Sequence, residues 1–65
     1  MSAVFGMCTV KSVHTSEDNK IILDAFDDAY NETYHITASR ELPIGTKLYW
    51  EFDCRTSKMS FAVMQ

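Results

Sequence analysis

The stretch from Leu42 to Cys54 constrains the fold of this chain more than any other part of it. Its second half alternates between apolar and polar residues, with the apolar set on every second position: Leu48, Trp50, Phe52 and Cys54. A period of two is typical of a β-strand that is buried on one face only. The pattern therefore predicts a central strand with Trp50 and Cys54 directed into the core and Tyr49 directed to solvent.

A turn is expected just before this strand, where Pro43 and Gly45 stand close together. Proline restricts φ and glycine adopts positive φ readily, so the two residues suit a change of chain direction. This turn sets the register that places Trp50 on the inner side.

Four further strands are indicated by β-branched and aromatic residues. We expect them at 4–15, 20–26, 33–38 and 58–64, with turns at 16–19, 27–32 and 55–57. In the first strand the alternation breaks, because Val13 falls out of phase with Cys8 and Val10. Val13 can join the inner side only through a slip at Lys11 or Ser12, or a bend at Gly6.

The segment 16–31 also fits a helix. Five residues recur at helical spacing behind a capping box at 15–18: Ile22, Ala25, Phe26, Ala29 and Tyr30. Against a helix, Asp27 and Asp28 would stand near its C-terminal end, where the helix dipole disfavours negative charge. We expect strands here, and an α+β fold with a helix at about 16–31 is the alternative.

The chain has 65 residues, which is the size of one domain, and we expect residues 1–65 to form it. Five short strands without crossover helices predict an all-β fold, a small five-stranded antiparallel barrel or strongly curled sheet. This strand plan resembles that of the oligonucleotide-binding and Src-homology-3 barrels. The resemblance covers the strand plan alone and carries over no functional residue.

No motif commits the chain to a reaction, a metal or a cofactor. Cys8 and Cys54 are not in a zinc-binding spacing with His14 and His35, and the acidic run 24–32 does not match a calcium loop. Whether the two cysteines are free or bridged stays open at this point. Without a signal peptide, two cysteines favour a cytoplasmic protein. A domain this small leaves little room for a substrate cleft, so we do not expect an enzyme.

Nucleic-acid binding is the alternative function. Tyr49 would stack on bases, with Lys47 and Arg40 contacting phosphates. However, the chain has six Lys or Arg against nine Asp or Glu, with a net charge of −3. Phosphate contacts dominate such binding, so the charge disfavours it.

The two terminal strands are apolar on both faces and carry one lysine each, Lys11 and Lys58. In a closed barrel such edges pair with each other or with a neighbouring strand, whereas in an open sheet they would recruit a second chain by strand addition. A homodimer through the terminal strands is therefore one form of partnership that the sequence allows. No basic amphipathic stretch indicates a membrane role.

The leading functional hypothesis is therefore a non-enzymatic protein-interaction module. In its specific form it is a small acidic inhibitor or regulator that binds a basic site on a nucleic-acid-handling protein. A phage-encoded accessory inhibitor would have this size and charge. The candidate partner-binding residues are Asp24, Asp27, Asp28, Glu32, Tyr49, Glu51 and Asp53.

Overall fold

A computed structural model describes residues 2–64, so the two outermost residues of the predicted domain lie outside the described range. These residues form five strands and no helix: β1 Ala3–Thr15, β2 Ile21–Asp27, β3 Glu32–Ala38, β4 Lys47–Asp53 and β5 Lys58–Val63. All neighbouring strands are antiparallel, in the order β3-β2-β1-β4-β5. The sheet curls into a half-barrel, which confirms the predicted fold class.

The strand β1 lies at the centre of the sheet. Its first half pairs with β4 from Ala3 to Thr9, and its second half pairs with β2 from Thr9 to Thr15. The register with β2 shifts between Val10 and Ser12, so one residue of β1 is unmatched there. This bulge brings Val13 opposite Leu23, onto the same side as the core, as the sequence predicted.

The prediction that β1 is an edge strand is wrong, because β1 has a partner on each side. The edges of the sheet are β3 and β5, and only the C-terminal strand of the predicted pair lies at an edge. Because β1 is shared between β2 and β4, the two edge strands stand at opposite ends of the strand order, and the curled sheet is a half-barrel within residues 2–64.

The sheet has an inner face, which encloses the core, and an outer face. The buried apolar residues all lie on the inner face: Cys8, Val10, Leu23, Ala25, Leu48 and Trp50. Trp50 is 4% exposed, which confirms the predicted inward position. Its indole lies against Gly6, where a Cβ would overlap the ring. Glycine at this position is therefore required by the close approach of the indole to the backbone.

The prediction that Cys54 is buried is wrong. The alternating strand ends at Asp53, one residue earlier than the pattern suggested, and Cys54 begins the turn to β5 and is exposed. Ser57 closes that turn with φ of 57°. Cys8 is buried, and both cysteines are free, which settles that open point of the sequence analysis.

The helical alternative for 16–31 is wrong as well. The residues from Ile21 to Asp27 pair with β1 on one side and with β3 on the other. The preceding turn closes through a hydrogen bond from Ser16 N to Lys20 O, with Asn19 at φ of 69°. Backbone pairing on both sides of β2 outweighs the local helical spacing, which is a weak signal in so short a segment.

Candidate functional site

The side chain of Asp27 is the buried polar centre of the molecule. It stands at the end of β2 in phase with Leu23 and Ala25, which places it on the inner face, and it is 1% exposed. The prediction that Asp27 belongs to a partner-binding surface is therefore wrong. The alternation along β2 was the signal for its burial, since every second residue from Leu23 points inward.

Four donors satisfy the Asp27 carboxylate. Two are backbone N–H groups of the β2–β3 turn, which donate to Oδ1: Ala29 at 3.0 Å and Tyr30 at 3.2 Å. The other two come from the core and donate to Oδ2: the Tyr34 hydroxyl at 3.2 Å and the Trp50 indole at 2.7 Å. A buried carboxylate needs hydrogen-bond donors to offset its loss of water, and each of the two oxygens of Asp27 has two. Asp27 thus joins the turn to the core.

Residues 28–32, which form the β2–β3 turn and the start of β3, are all exposed. We refer to the two acids and the aromatic residue among them, Asp28, Tyr30 and Glu32, as the acidic tip. The backbone turns at Asn31 with φ of 55°, a conformation that asparagine tolerates better than most residues. The Tyr30 ring packs edge-on against Trp50, with 5.5 Å between ring centroids, and remains 53% exposed. Tyr30, which lies between Asp28 and Glu32 in the sequence, is therefore held against the core by Trp50.

Sequence reasoning placed Asp28 and Glu32 correctly at the surface but missed Tyr30 as a candidate binding residue. The missing information was tertiary, because only the contact with Trp50 shows that the ring is held in place while half of it stays exposed.

The negative charge of Asp27 also affects its neighbours in the core. Burial, followed by the nearby Asp27 charge, raises the pKa of Tyr34 to about 12. The same two causes raise the pKa of the Cys8 thiol above its usual value. A thiol with a raised pKa carries little thiolate at neutral pH and is a poor nucleophile. Cys8 is therefore a small buried apolar residue, as the sequence suggested.

Asp24 lies away from the acidic tip, on the outer face of β2. Its carboxylate accepts a hydrogen bond from the Ser12 hydroxyl at 2.7 Å and lies 2.6 Å from Nδ1 of His35 and 3.5 Å from Nδ1 of His14. The Ser12 hydrogen bond, followed by that of His35, lowers the pKa of Asp24. Both Ser12 and His35 bind the carboxylate rather than each other, so the cluster lacks the serine–histidine contact that would activate a hydroxyl nucleophile.

The remaining predicted residues lie on the outer face of β4. The Tyr49 ring stacks on Phe5 of β1, with centroids 5.9 Å apart and ring planes at 26°. Glu51 stands opposite Phe5 in the register. Asp53 accepts the Arg55 backbone N–H at 2.9 Å and lies 3.8 Å from Arg55 Nε. The six predicted acids thus do not share one face.

The alternative set of Tyr49, Lys47 and Arg40 is only partly assembled. Lys47 lies two residues from Tyr49 on the same face, and its ammonium donates to Thr9 Oγ1 at 2.9 Å. Arg40 instead lines a hollow of about 280 Å³ between β3 and β5, together with Ile36 and Phe61. Tyr49 does not line that hollow. Of the two predicted cations, Lys47 therefore lies near Tyr49 and Arg40 does not.

Within residues 2–64, no group of three or more His, Cys, Asp or Glu side chains is arranged to hold a metal ion. The same residues include no helix long and apolar enough to cross a membrane. Comparison with protein-family models, with curated proteins and with solved structures finds no match for this chain.

Proposed function

We propose that this protein is a non-enzymatic protein-interaction module that binds a basic site on another protein through the acidic tip. The observation that carries the proposal is the attachment of the tip to the core. The backbone N–H groups of Ala29 and Tyr30 donate to the buried Asp27 carboxylate, and the Tyr30 ring packs edge-on against Trp50.

A tip held in this way has an energetic advantage in binding. Ordering a rotamer-rich side chain at an interface costs roughly 0.5–1.5 kcal/mol, and a segment already held in its bound conformation avoids part of that cost. Tyrosine is also among the residues that contribute most to protein interfaces. Tyr30 is thus suited to be the central contact, with Asp28 and Glu32 at its border.

The charges support a basic partner. Asp28 and Glu32 are exposed and form no salt bridge with another described residue, so their charge is directed to solvent. By contrast, Asp53 has Arg55 beside it, and Asp24 has two histidines. Complementary charge at the border of an interface raises the association rate and orients the partner.

In the specific form of this proposal, the basic site belongs to a nucleic-acid-handling protein, and the module acts as an inhibitor or regulator. Sites that bind phosphate backbones are rich in Lys and Arg. Two carboxylates beside an aromatic ring offer such a site negative charge and a surface for stacking, which are the features that a nucleic acid presents.

The alternative function, direct nucleic-acid binding, has one observation in its favour. The stacked Phe5 and Tyr49 rings lie on the same face as Lys47. Glu51 lies on that face too, opposite Phe5, and would repel phosphates. The charges around the rings therefore favour the protein partner over the nucleic acid.

The proposal is tested by affinity capture from a lysate of the organism that encodes the protein, followed by mass spectrometry. The test variant is Asp28→Asn with Glu32→Gln, and the control is Glu17→Gln with Glu41→Gln, at exposed acids outside the tip. Each pair removes two negative charges and changes the formal net charge from −3 to −1.

A partner that the wild type and the control retain, but that the tip variant loses, is the expected result. Tyr30→Ala should lose the same partner. Equal retention by all variants would refute the acidic tip as the binding site, and equal loss from both charge variants would show that net charge alone governs capture.

A further inference from the structure

The outer face of the sheet carries an exposed apolar patch that the acidic tip does not include. We define this outer patch by four residues, each between 40% and 57% exposed: Phe5, Met7, Tyr49 and Met64. Met7 stands directly opposite Tyr49 across the β1–β4 pair, and Met64 pairs with Lys47 through its backbone N–H. Contiguous exposed apolar side chains mark contact surfaces, and methionine and aromatic residues are enriched there.

Two opposite charges on β4 border the outer patch in a symmetric way, and Asp28 adjoins the patch beside Met7, Lys47 and Met64. On β4, Lys47 precedes Tyr49 by two residues and Glu51 follows it by two, so all three lie on the outer face. Consider a two-fold axis that lies in the plane of contact, at right angles to β4 and level with Tyr49. This axis places Lys47 of one copy over Glu51 of the other, and the reverse, in the self-complementary manner of a two-fold interface.

We propose that the outer patch is the interface of a homodimer, in which two copies pack their outer faces together about this axis. The apolar centre would consist of Met7 and Tyr49 from both copies, and the border would contain two Lys47–Glu51 pairs between copies. The Lys47 ammonium has three donors and uses one on Thr9, so it can also reach the partner carboxylate.

A second copy suits the charge pattern better than other occupants do. A nucleic acid would bring phosphates against Glu51, whereas a second copy brings Lys47 to it. The two bordering charges cancel within the pair, so the contact needs no partner with an excess of either sign.

The dimer goes beyond the function proposed above and rests on different residues. Of the three tip residues, Asp28 lines a hollow together with Met7, Lys47 and Met64. Tyr30 and Glu32 do not line that hollow, so the dimer leaves these two residues of each copy outside the contact. Two tips on one particle would raise the effective affinity for a target with more than one basic site.

Sedimentation equilibrium across protein concentrations from about 1 µM to about 1 mM tests the dimer, the span over which weak association becomes visible. All variants carry Cys54→Ser, since this exposed thiol could otherwise form an intermolecular disulfide. We expect a reversible dimer for the parent, and a monomer for Met7→Glu at every concentration. The matched control is Ile44→Glu, which changes an apolar residue 70% exposed and outside the patch, and should remain a dimer.

The charge pairs provide a sharper test of the arrangement. Lys47→Glu alone and Glu51→Lys alone each place like charges together and should weaken dimerisation at least tenfold. The double variant exchanges the charges and should return to within about threefold of the parent constant at equal ionic strength. A double variant as weak as the single ones would overturn the two-fold arrangement.

A parent that remains a monomer throughout, or a Met7→Glu variant that still dimerises, would overturn the interface. A monomer whose Phe5 and Tyr49 resonances shift on addition of an oligothymidylate would assign the patch to nucleic acid instead. The tip variant Glu32→Gln, which changes a tip residue that does not line the hollow beside the patch, should dimerise normally. The experiments can therefore refute the homodimer interface and the acidic tip as a binding site independently of each other.

Discussion

The indole N–H of Trp50 donates a 2.7 Å hydrogen bond to Oδ2 of Asp27, and both side chains are buried. This contact joins β4 to the end of β2 across the inner face. The other carboxylate oxygen holds the β2–β3 turn, so one side chain connects the core to the exposed acidic tip. The position of the proposed binding surface thus depends on a buried residue.

Asp27→Ala should destabilise the protein by on the order of 3 kcal/mol or more. The change leaves the buried Trp50 indole N–H without its acceptor, which costs about 1–3 kcal/mol, and it removes the acceptor of three partly buried donors, at Ala29, Tyr30 and Tyr34. A domain of this size rarely has more than about 3–5 kcal/mol in total. Urea unfolding followed by circular dichroism should show little or no cooperative transition. Asp28→Ala, at the exposed neighbour, should stay within about 0.5 kcal/mol of the wild type, and equal effects at the two positions would contradict the role of Asp27.

Gly6→Ala should destabilise the protein although it adds only one methyl group. The new Cβ would overlap the Trp50 indole, which is fixed by its bond to Asp27 and cannot move freely. Overpacking of this kind costs roughly 1–3 kcal/mol. The matched control is Gly45→Ala, where a Cβ meets no atom and the cost arises from the backbone φ of 97°. Combining Gly6→Ala with Trp50→Phe should recover part of the loss caused by the alanine, and a strictly additive double variant would show that the indole is not the obstacle.

Alkaline pH should destabilise the fold through Tyr34 and Cys8. The folded protein holds the pKa of Tyr34 at about 12, compared with 10.0 for the ordinary side chain. Between these two values the unfolded chain releases the proton and the folded one retains it, so the free energy of unfolding falls as pH rises. The stabilising contribution is complete below pH 10 and is lost by about pH 12. The raised pKa of Cys8 acts in the same direction from about its usual value of 9.0 upward.

Urea midpoints measured by circular dichroism at pH values from about 8 to about 12 will test this dependence. Tyr34→Phe should be less stable at neutral pH, because it loses the hydrogen bond to Asp27, yet it should lose less stability above pH 10. Cys8→Ala removes the thiol, so the pH dependence that remains in this variant should come from Tyr34. A wild type whose midpoint stays constant across this range would contradict the raised pKa values.

Nucleic-acid binding should be absent at near-physiological ionic strength. Six basic residues are outnumbered by nine acidic ones, and of the two predicted cations only Lys47 lies near the exposed aromatic pair of Phe5 and Tyr49. Few released counterions imply weak binding and a shallow salt dependence. Fluorescence anisotropy with labelled single- and double-stranded DNA and RNA provides the measurement. Micromolar binding that weakens steeply with salt, and that Tyr49→Ala or Lys47→Glu abolishes, would favour the alternative function.

The local alternation of apolar and polar residues was sufficient to predict most of the fold. The alternation in β4 predicted the burial of Trp50, and the broken alternation in β1 predicted the shift that keeps Val13 inside. These predictions succeed because side chains alternate across any extended strand, whatever its neighbours are. Cys54 was misplaced because an alternating pattern does not indicate the residue at which a strand ends.

The candidate site was less accessible from the sequence. Asp28 and Glu32 were recognised as surface acids, but Asp27 was grouped with them, since a run of polar residues resembles a solvated turn. Whether a carboxylate in such a run is buried depends on donors that lie elsewhere in the chain, and two of the four donors to Asp27 come from Tyr34 and Trp50.

The sequence by itself determined the all-β class, the approximate position of all five strands and the inward direction of Trp50, because these follow from composition and from a period of two. Only the tertiary structure decided that β1 is central rather than an edge, that Asp27 lies inside, and that Tyr30 and the outer patch stay exposed. Strand order and the packing of distant side chains depend on pairings between residues far apart in the chain, and a local pattern cannot specify which distant partner a strand or a carboxylate will meet.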